Sequence, residues 1–450
     1  MKKHWMTGVG LLLGGVLGAA PATVTLKVEP AQAVLAADTN QQAQVRISIS
    51  APSRPAAGEK ERPRVNLAIA LDRSGSMAGM RKLENAKQAA KSALNMLSER
   101  DRFALIVYDD VAKVLVPSTP VTEENRRRIS EQIDAISPGS CTALFAGVSL
   151  AAAELSKLRA ESGWVNRLLL LSDGLANVGP SSPSELGRLG GGLVKERISV
   201  STVGVGGDYN EDLMTALAQN SDGNFYFVEN SRDLSLIFEK ELGSALAVAA
   251  QGVTVRIICP EGVKPRGILG HECRIDGQAV ELKFNQIYAG HDKVLILQLE
   301  VPPQPVAEKV EIAEVKLEYL TANAGAAVHL ARNVQVGFSA NRETVEKSVN
   351  QEVSADVALQ KSAVLREAAV EAADAGDFAR AKRQLQQAHH ELASKARATG
   401  NQEVAAAAAK LAGESRKMEQ APAAPAQYKQ LRKELKGRAY QERNRQSFRQ

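Results

Sequence analysis

The chain has 450 residues, of which 44% are apolar, 24% charged and only 4% aromatic, and its net charge is +5. That length exceeds one ordinary core and sets an expectation of two to four domains, while the composition is that of a globular protein. Three cysteines are too few for a disulfide scaffold, and no basic surface interleaved with aromatics is present, which excludes nucleic acid as a partner.

At the N-terminus, Lys2, Lys3 and His4 precede an apolar stretch from Trp5 to Leu17 that closes on Ala20-Pro21-Ala22. This is the order of a secretory signal, residues 1–22, cut after Ala22; the alternative is an uncleaved N-terminal anchor. Either reading puts the body outside the cytoplasm, periplasmic or secreted. After the first twenty residues no apolar run reaches the roughly 18 positions of a membrane span.

Residues 23–50 alternate in "TVTLKVEP" and "AQVRISIS", two strands with one wet face. Two strands alone are marginal, so they are expected to complete a later sheet. The polar stretch "APSRPAAGEKERP" is a linker. From Arg64 to Leu246 continuous apolar runs ("VNLAIAL", "RFALIVY", "RLLLLS", "ISVSTVGV", "NFYFV") alternate with helical stretches. Continuous runs suit parallel strands buried on both faces, and the alternation predicts an α/β doubly wound, Rossmann-like domain over 64–246. In its first helix Leu83, Ala86, Ala90, Leu94 and Leu97 form the apolar stripe, with Lys87 and Lys91 between. "ALFAGVSLAAAELSKLRAE" and "DLSLIFEKELGSAL" are further helices.

Alternating strands return over 252–340 and predict an antiparallel β-sandwich. Joined by the strands of 23–50, it would hold the α/β domain as an insertion. Cys259 and Cys273 flank a 13-residue loop, and the sequence leaves open whether they pair. Residues 343–450 read as helix, with a turn at Gly376-Asp377 inside a single tetratricopeptide-like hairpin. One such unit cannot form a solenoid. From Tyr428 onward eight Lys or Arg face two Glu; this basic C-terminal tail is a solvated helix or a patch for a membrane surface or an acidic partner.

The chemistry gathers in "LDRSGSMAGM". Asp72 ends the first buried strand, where doubly wound sheets bind ligands. Ser74 and Ser76 follow at two-residue spacing, so three oxygens can turn toward one point. A nucleophile elbow is absent, and no histidine lies between His4 and His271 to serve a catalytic triad. One glycine and no lysine do not make a phosphate loop. A cup for a hard divalent ion is coherent, and a plain helix cap with turn serines is the competing interpretation.

Two further stretches favour the cup: "ISPGSCTALFAGV" sets Thr142 at a helix entry, and "RLLLLSDGLANVG" sets Asp173 at another strand end. Asp72-x-Ser74-x-Ser76, then Thr142, then Asp173-Gly174 resembles the metal-ion-dependent adhesion site of the von Willebrand factor type A family, over about 180 residues. The resemblance implies that Asp72, Ser74, Ser76, Thr142 and Asp173 hold Mg²⁺ (or Ca²⁺ or Mn²⁺), Asp173 mainly through water. It implies a protein partner that supplies a carboxylate, and an adhesion or scaffold protein rather than an enzyme. Where the family has Gly-Gly-Thr, this chain has Gly139-Ser140-Cys141-Thr142, with Cys141 expected as a small buried filler. The whole chain also resembles bacterial exported members in which the A domain sits within a β-sandwich and precedes a helical C-terminus. A metal-dependent hydrolase and a structural envelope protein with a non-functional site are the alternatives.

Other residues read as structural. Asp109-Asp110 is a turn, His271-Glu272-Cys273 a loop without zinc spacing, His389-His390 solvated surface, and Trp164 a core anchor.

Overall fold

A computed structural model describes residues 24–52, 62–158, 161, 163–322, 325–421, 425–444 and 446–448. The expected signal at 1–22 and most of the linker lie outside the described residues. Among the described residues no helix is long and apolar enough to cross a membrane. The chain begins with β1 (Thr25–Pro30), β2 (Val34–Ala36) and β3 (Gln41–Ser50).

The α/β unit follows, with β4 (Arg64–Asp72), a 3₁₀ turn (Gly75–Arg81), α1 (Lys82–Met96), β5 (Arg102–Tyr108) and β6 (Ala112–Pro120). It continues through α2 (Glu123–Asp134), α3 (Leu144–Ser156), β7 (Trp164–Ser172), α4 (Pro183–Lys195) and β8 (Ile198–Val205), and closes with α5 (Glu211–Asn220), β9 (Phe225–Val228) and α6 (Leu234–Leu246). The sheet order is β6-β5-β4-β7-β8-β9. All neighbours are parallel except the edge pair β5–β6, so the doubly wound expectation gains an antiparallel edge. Both faces of β4 are covered, which explains its unbroken apolar run. Val65, Leu67, Ile69 and Leu71 pack in the core with α1, α2 and α6. Ala68 and Ala70, whose short side chains admit a close helix layer, pack with α3, α4 and α5.

Next come β10 (Val248–Ile258), β11 (Lys264–Ile268), β12 (Arg274–Asp276), β13 (Ala279–Tyr288), β14 (His291–Val301), β15 (Ala307–Thr321) and β16 (Ala327–Ser339). One sheet has the order β1-β3-β14-β11 and the other β12-β13-β10-β15-β16-β2. The residues of 25–50 thus pair with strands more than two hundred positions later, Ile47 opposite Leu295 and Val45 opposite Leu297. Inward residues of both sheets, among them Val45, Ile47, Val255, Ile257 and Leu317, form one core. All pairs are antiparallel except β2–β16. The thiols of Cys141, Cys259 and Cys273 are free, which answers the question the sequence leaves open for Cys259 and Cys273. Burial pushes the Cys259 thiol up to about 11.

The remainder is α7 (Arg342–Lys347), α8 (Gln351–Asp374), α9 (Phe378–Thr399), α10 (Gln402–Gln420), α11 (Pro425–Arg443) and a short β17 (Gln446–Phe448) on β14. The turn at Gly376 has φ +84°, and Asp377 caps α9 through the Arg380 amide. α8 lies on the outer face of the sandwich, where Val353 and Val357 meet Ile296 and Arg46 pairs with Glu352 and Asp356. His389 is not solvated surface: its Nδ1 lies 2.8 Å from the Ala408 carbonyl of α10.

The basic tail is also corrected. α11 docks against the acidic start of α5, and its six described cations are all engaged within the chain. Lys429 pairs with Asp208, and Arg432 with Glu211, Asp212 and Asp374. Lys433 and Lys436 take Glu211 and Asp212, while Arg438 and Arg443 take Glu414 and Glu367. Tyr440 donates to the Gly223 carbonyl at 2.5 Å. The positive charge of the described part of α11 therefore complements this protein's own acidic edge.

Candidate metal centre

The cup forms where the strand order reverses. β4 starts the sheet, the chain goes to β5 on one side, and β7 later inserts on the other. Loops leaving the carboxyl ends of β4 and β7 therefore diverge and leave a crevice between them. Asp72 is the last residue of β4 and Asp173 the first after β7, and both are fully buried. Asp72 Oδ1 accepts from the Ser74 amide at 2.8 Å and Oδ2 from the Ser172 hydroxyl at 2.7 Å. Ser74 and Ser76 hydroxyls lie 3.0 Å apart, and Ser76 donates to Asp173 Oδ1 at 2.6 Å.

Thr142 joins from the loop before α3. A Cβ placed on Gly174 would lie 3.3 Å from Ser76 Oγ, 3.4 Å from Thr142 Oγ1 and 4.0 Å from Ser74 Oγ. Three hydroxyls from two loops thus surround one point above a third, and a side chain there would fill the space between them. All five residues named from the sequence come together. The Thr142 amide is held by Asn177 Oδ1 at 2.8 Å.

Backbone and ionic braces fix the loops. Gly75 N–H donates to Ser140 O at 2.9 Å, Gly139 N–H to Arg73 O at 2.6 Å, and Ala143 N–H to Asp109 O at 2.7 Å. Asp109 pairs with Arg73, and a Cβ on Gly139 would overlap the Asp109 carboxyl. Asp110 accepts from the Ser140 hydroxyl and the Cys141 amide. The Asp109-Asp110 turn is thus a brace for the cup. Cys141 is half-buried, more open than the filler expected at that position.

Burial pushes the Asp72 carboxyl up to about 6, hydrogen bonds from Ser74 and Ser172 oppose this, and the nearby Asp173 charge adds to it. A buried carboxylate raised in this way is relieved by a cation. Among the described residues no group of three or more His, Cys, Asp or Glu side chains gathers. The cup instead has two carboxylates and three hydroxyls, an all-oxygen set that fits a hard divalent ion and not a soft one.

Two participants escaped the sequence reading. Ser172 orients Asp72 from the adjacent strand. Lys82, at the start of α1, donates from Nζ to Asp173 Oδ2 at 2.6 Å and is almost fully buried. Its signal was present: position 82 lies one helical repeat before Ala86, in line with Ala89 and Ala93 on the buried stripe. Lys87 is likewise buried, reaching the Asp134 carbonyl at 3.2 Å.

Residues 66–240 match the family model of the von Willebrand factor type A domain. The chain is 27% identical to YfbK of Escherichia coli (strain K12) over 236 residues, covering 52% of this chain and 40% of that protein. It is also 27% identical to sll0103 of Synechocystis sp. over 285 residues, covering 60% of this chain and 66% of the relative. A solved structure described as von Willebrand factor type A from Catenulispora acidiphila superposes with a TM-score of 0.72 at 17% identity, covering 94% of this chain and 98% of the other. That likeness concerns the fold, and it extends across the sandwich and helices. The α/β unit of this chain thus matches the von Willebrand factor type A domain over nearly its whole length.

Proposed function

We propose that this protein is an extracytoplasmic binding module that captures an acidic group of a protein partner through a divalent ion in the cup, and is not an enzyme. The observation that carries the reading is the convergence over Gly174: Ser74, Ser76 and Thr142 hydroxyls within 4.0 Å of one point, beside the buried Asp72 and Asp173. These five residues would hold Mg²⁺, or Ca²⁺ or Mn²⁺, and the bound ion would supply a Lewis-acidic centre for an oxygen ligand from outside. The two carboxylates balance the ion's formal charge and the hydroxyls add none, so an open coordination position on the ion stays available to an oxygen of an acidic group on the partner. Binding is favoured over hydrolysis because the sequence of the α/β unit has no histidine, and among its described residues no group of three or more His, Cys, Asp or Glu side chains gathers. The extracytoplasmic location rests on the N-terminal charged-then-apolar pattern.

The test is calorimetric titration of Mg²⁺, Mn²⁺ and Ca²⁺ into the chelator-treated full chain, followed by recovery of envelope proteins with and without EDTA. One-site binding, lost in Asp72→Ala and accompanied by an EDTA-sensitive partner, is expected. Absence of divalent binding, with partner recovery indifferent to EDTA, would refute the reading.

A further inference from the structure

Lys82 lies in the cup, and the metal chemistry outlined above does not use it. Its ammonium and Asp173 form an ion pair almost wholly out of water. The backbone bends sharply just ahead of Lys82. Met80 and Arg81, neither of them glycine, take left-handed φ values of 51° and 57°, and this double kink ends the 3₁₀ turn directly before α1. Consecutive left-handed residues are strained and persist where the surroundings demand them. On the far side, a Cβ on Gly206 would lie 3.7 Å from Lys82 Nζ, so the ammonium is enclosed on that flank too.

We propose that Lys82 sets the charge of the metal cup: it shares Asp173 with the divalent ion, weakening the ion's hold while leaving the loaded site net positive toward an anionic partner group. This rests on the metal reading of the cup. The charge count is simple. Asp72 and Asp173 contribute two negative charges, an ion two positive ones, and the hydroxyls none; Lys82 adds the remaining positive charge. Both Asp173 oxygens already accept hydrogen bonds, from Ser76 and from Lys82. An ion approaching this carboxylate therefore meets a pair already neutralised, and the ammonium repels it from within one side chain. In a water-poor site that repulsion is weakly screened. The same charge assists an incoming carboxylate, so metal affinity and anion affinity are pulled in opposite directions by one residue.

The experiment uses the full chain with Lys82→Met, which removes the charge, Lys82→Gln, which keeps a donor for Asp173, and Lys82→Arg, which keeps charge and donor. Circular dichroism establishes folding; Lys82→Gln carries the test if Lys82→Met does not fold. MgCl₂ is titrated calorimetrically into chelator-treated protein, and a short glutamate peptide into Mg²⁺-saturated protein. The neutral variants are expected to bind Mg²⁺ at least about tenfold more tightly and the peptide at least about tenfold more weakly, with Lys82→Arg near wild type. If wild type binds Mg²⁺ and the neutral variants bind it equally or more weakly, the role of Lys82 is overturned and the metal reading stands. Binding only in the neutral variants would support the role of Lys82 and overturn the metal reading of the native cup. If no variant binds, both are overturned.

Discussion

Replacing Asp72 by Asn tests whether the cup is built at the expense of stability. The Asp72 carboxyl, ordinarily near 3.8, is raised to about 6 by burial, with Ser74 and Ser172 opposing and Asp173 adding. The two values are roughly two pH units apart, and at about 1.4 kcal/mol per unit the ionised form is disfavoured in the fold by about 3 kcal/mol. The sign follows from proton counting. Between 3.8 and about 6 the folded chain binds more protons at this site than the unfolded chain, so stability falls as pH rises through that window. Asn keeps an oxygen for the Ser74 amide and offers a donor to the Ser172 hydroxyl, without the charge. Denaturant unfolding in EDTA should therefore show Asp72→Asn more stable than wild type by about 2–3 kcal/mol at pH 7.5. The gap should close as pH falls from about 6 to about 4. Mg²⁺ should then raise the wild-type midpoint and leave the variant's unchanged. A variant less stable than wild type in EDTA, or one that keeps the Mg²⁺ shift, would refute the reasoning.

Gly174→Ala should lower Mg²⁺ affinity about tenfold in calorimetry. A methyl group there crowds Ser76 and Thr142, and the EDTA melting curve should barely move. Glu211→Gln leaves Lys433 buried without its charge partner and should destabilise α11 docking by about 3 kcal/mol, read as faster hydrogen exchange in the amides of α11. His271 is held neutral down to about 3 by burial and by the Lys293 and Arg443 charges. Its proton NMR signal should not titrate between pH 7 and about 5, while its contribution to stability, complete above 6.5, declines as pH falls toward 3.

How far the site was legible depends on how local each signal is. Asp72, Ser74 and Ser76 fall within five residues, and Thr142 and Asp173 stand at a helix entry and a strand end, where an α/β sheet gathers ligands. Residue type and element boundary sufficed for these. Helices α2, α4 and α5 carry weaker sequence signals. α2 buries only Ile129 and Ile133, and α4 is diluted by glycines, although its Ser182–Glu185 capping box with Pro183 was a readable start signal. The edge strand β6 followed a turn that had been recognised, yet its half-exposed pattern "AKVLVPSTP" is weak alone.

By itself, the sequence determined the order of layers and the five oxygen-bearing residues that converge at the cup. Burial on two faces writes continuous apolar runs, burial on one writes alternation, and a strand end carries its ligands in adjacent positions. Only the tertiary structure decided which charges are neutralised and by what. Lys82 reads as an ordinary helical lysine until β7 brings Asp173 within 2.6 Å of it. The basic stretch of α11 reads as a free cationic tail until Glu211 and Asp212, more than two hundred residues away, meet it. A charge on a linear chain has a sign and no partner, and its partner is fixed only when distant elements pack and exclude the water that would otherwise screen it.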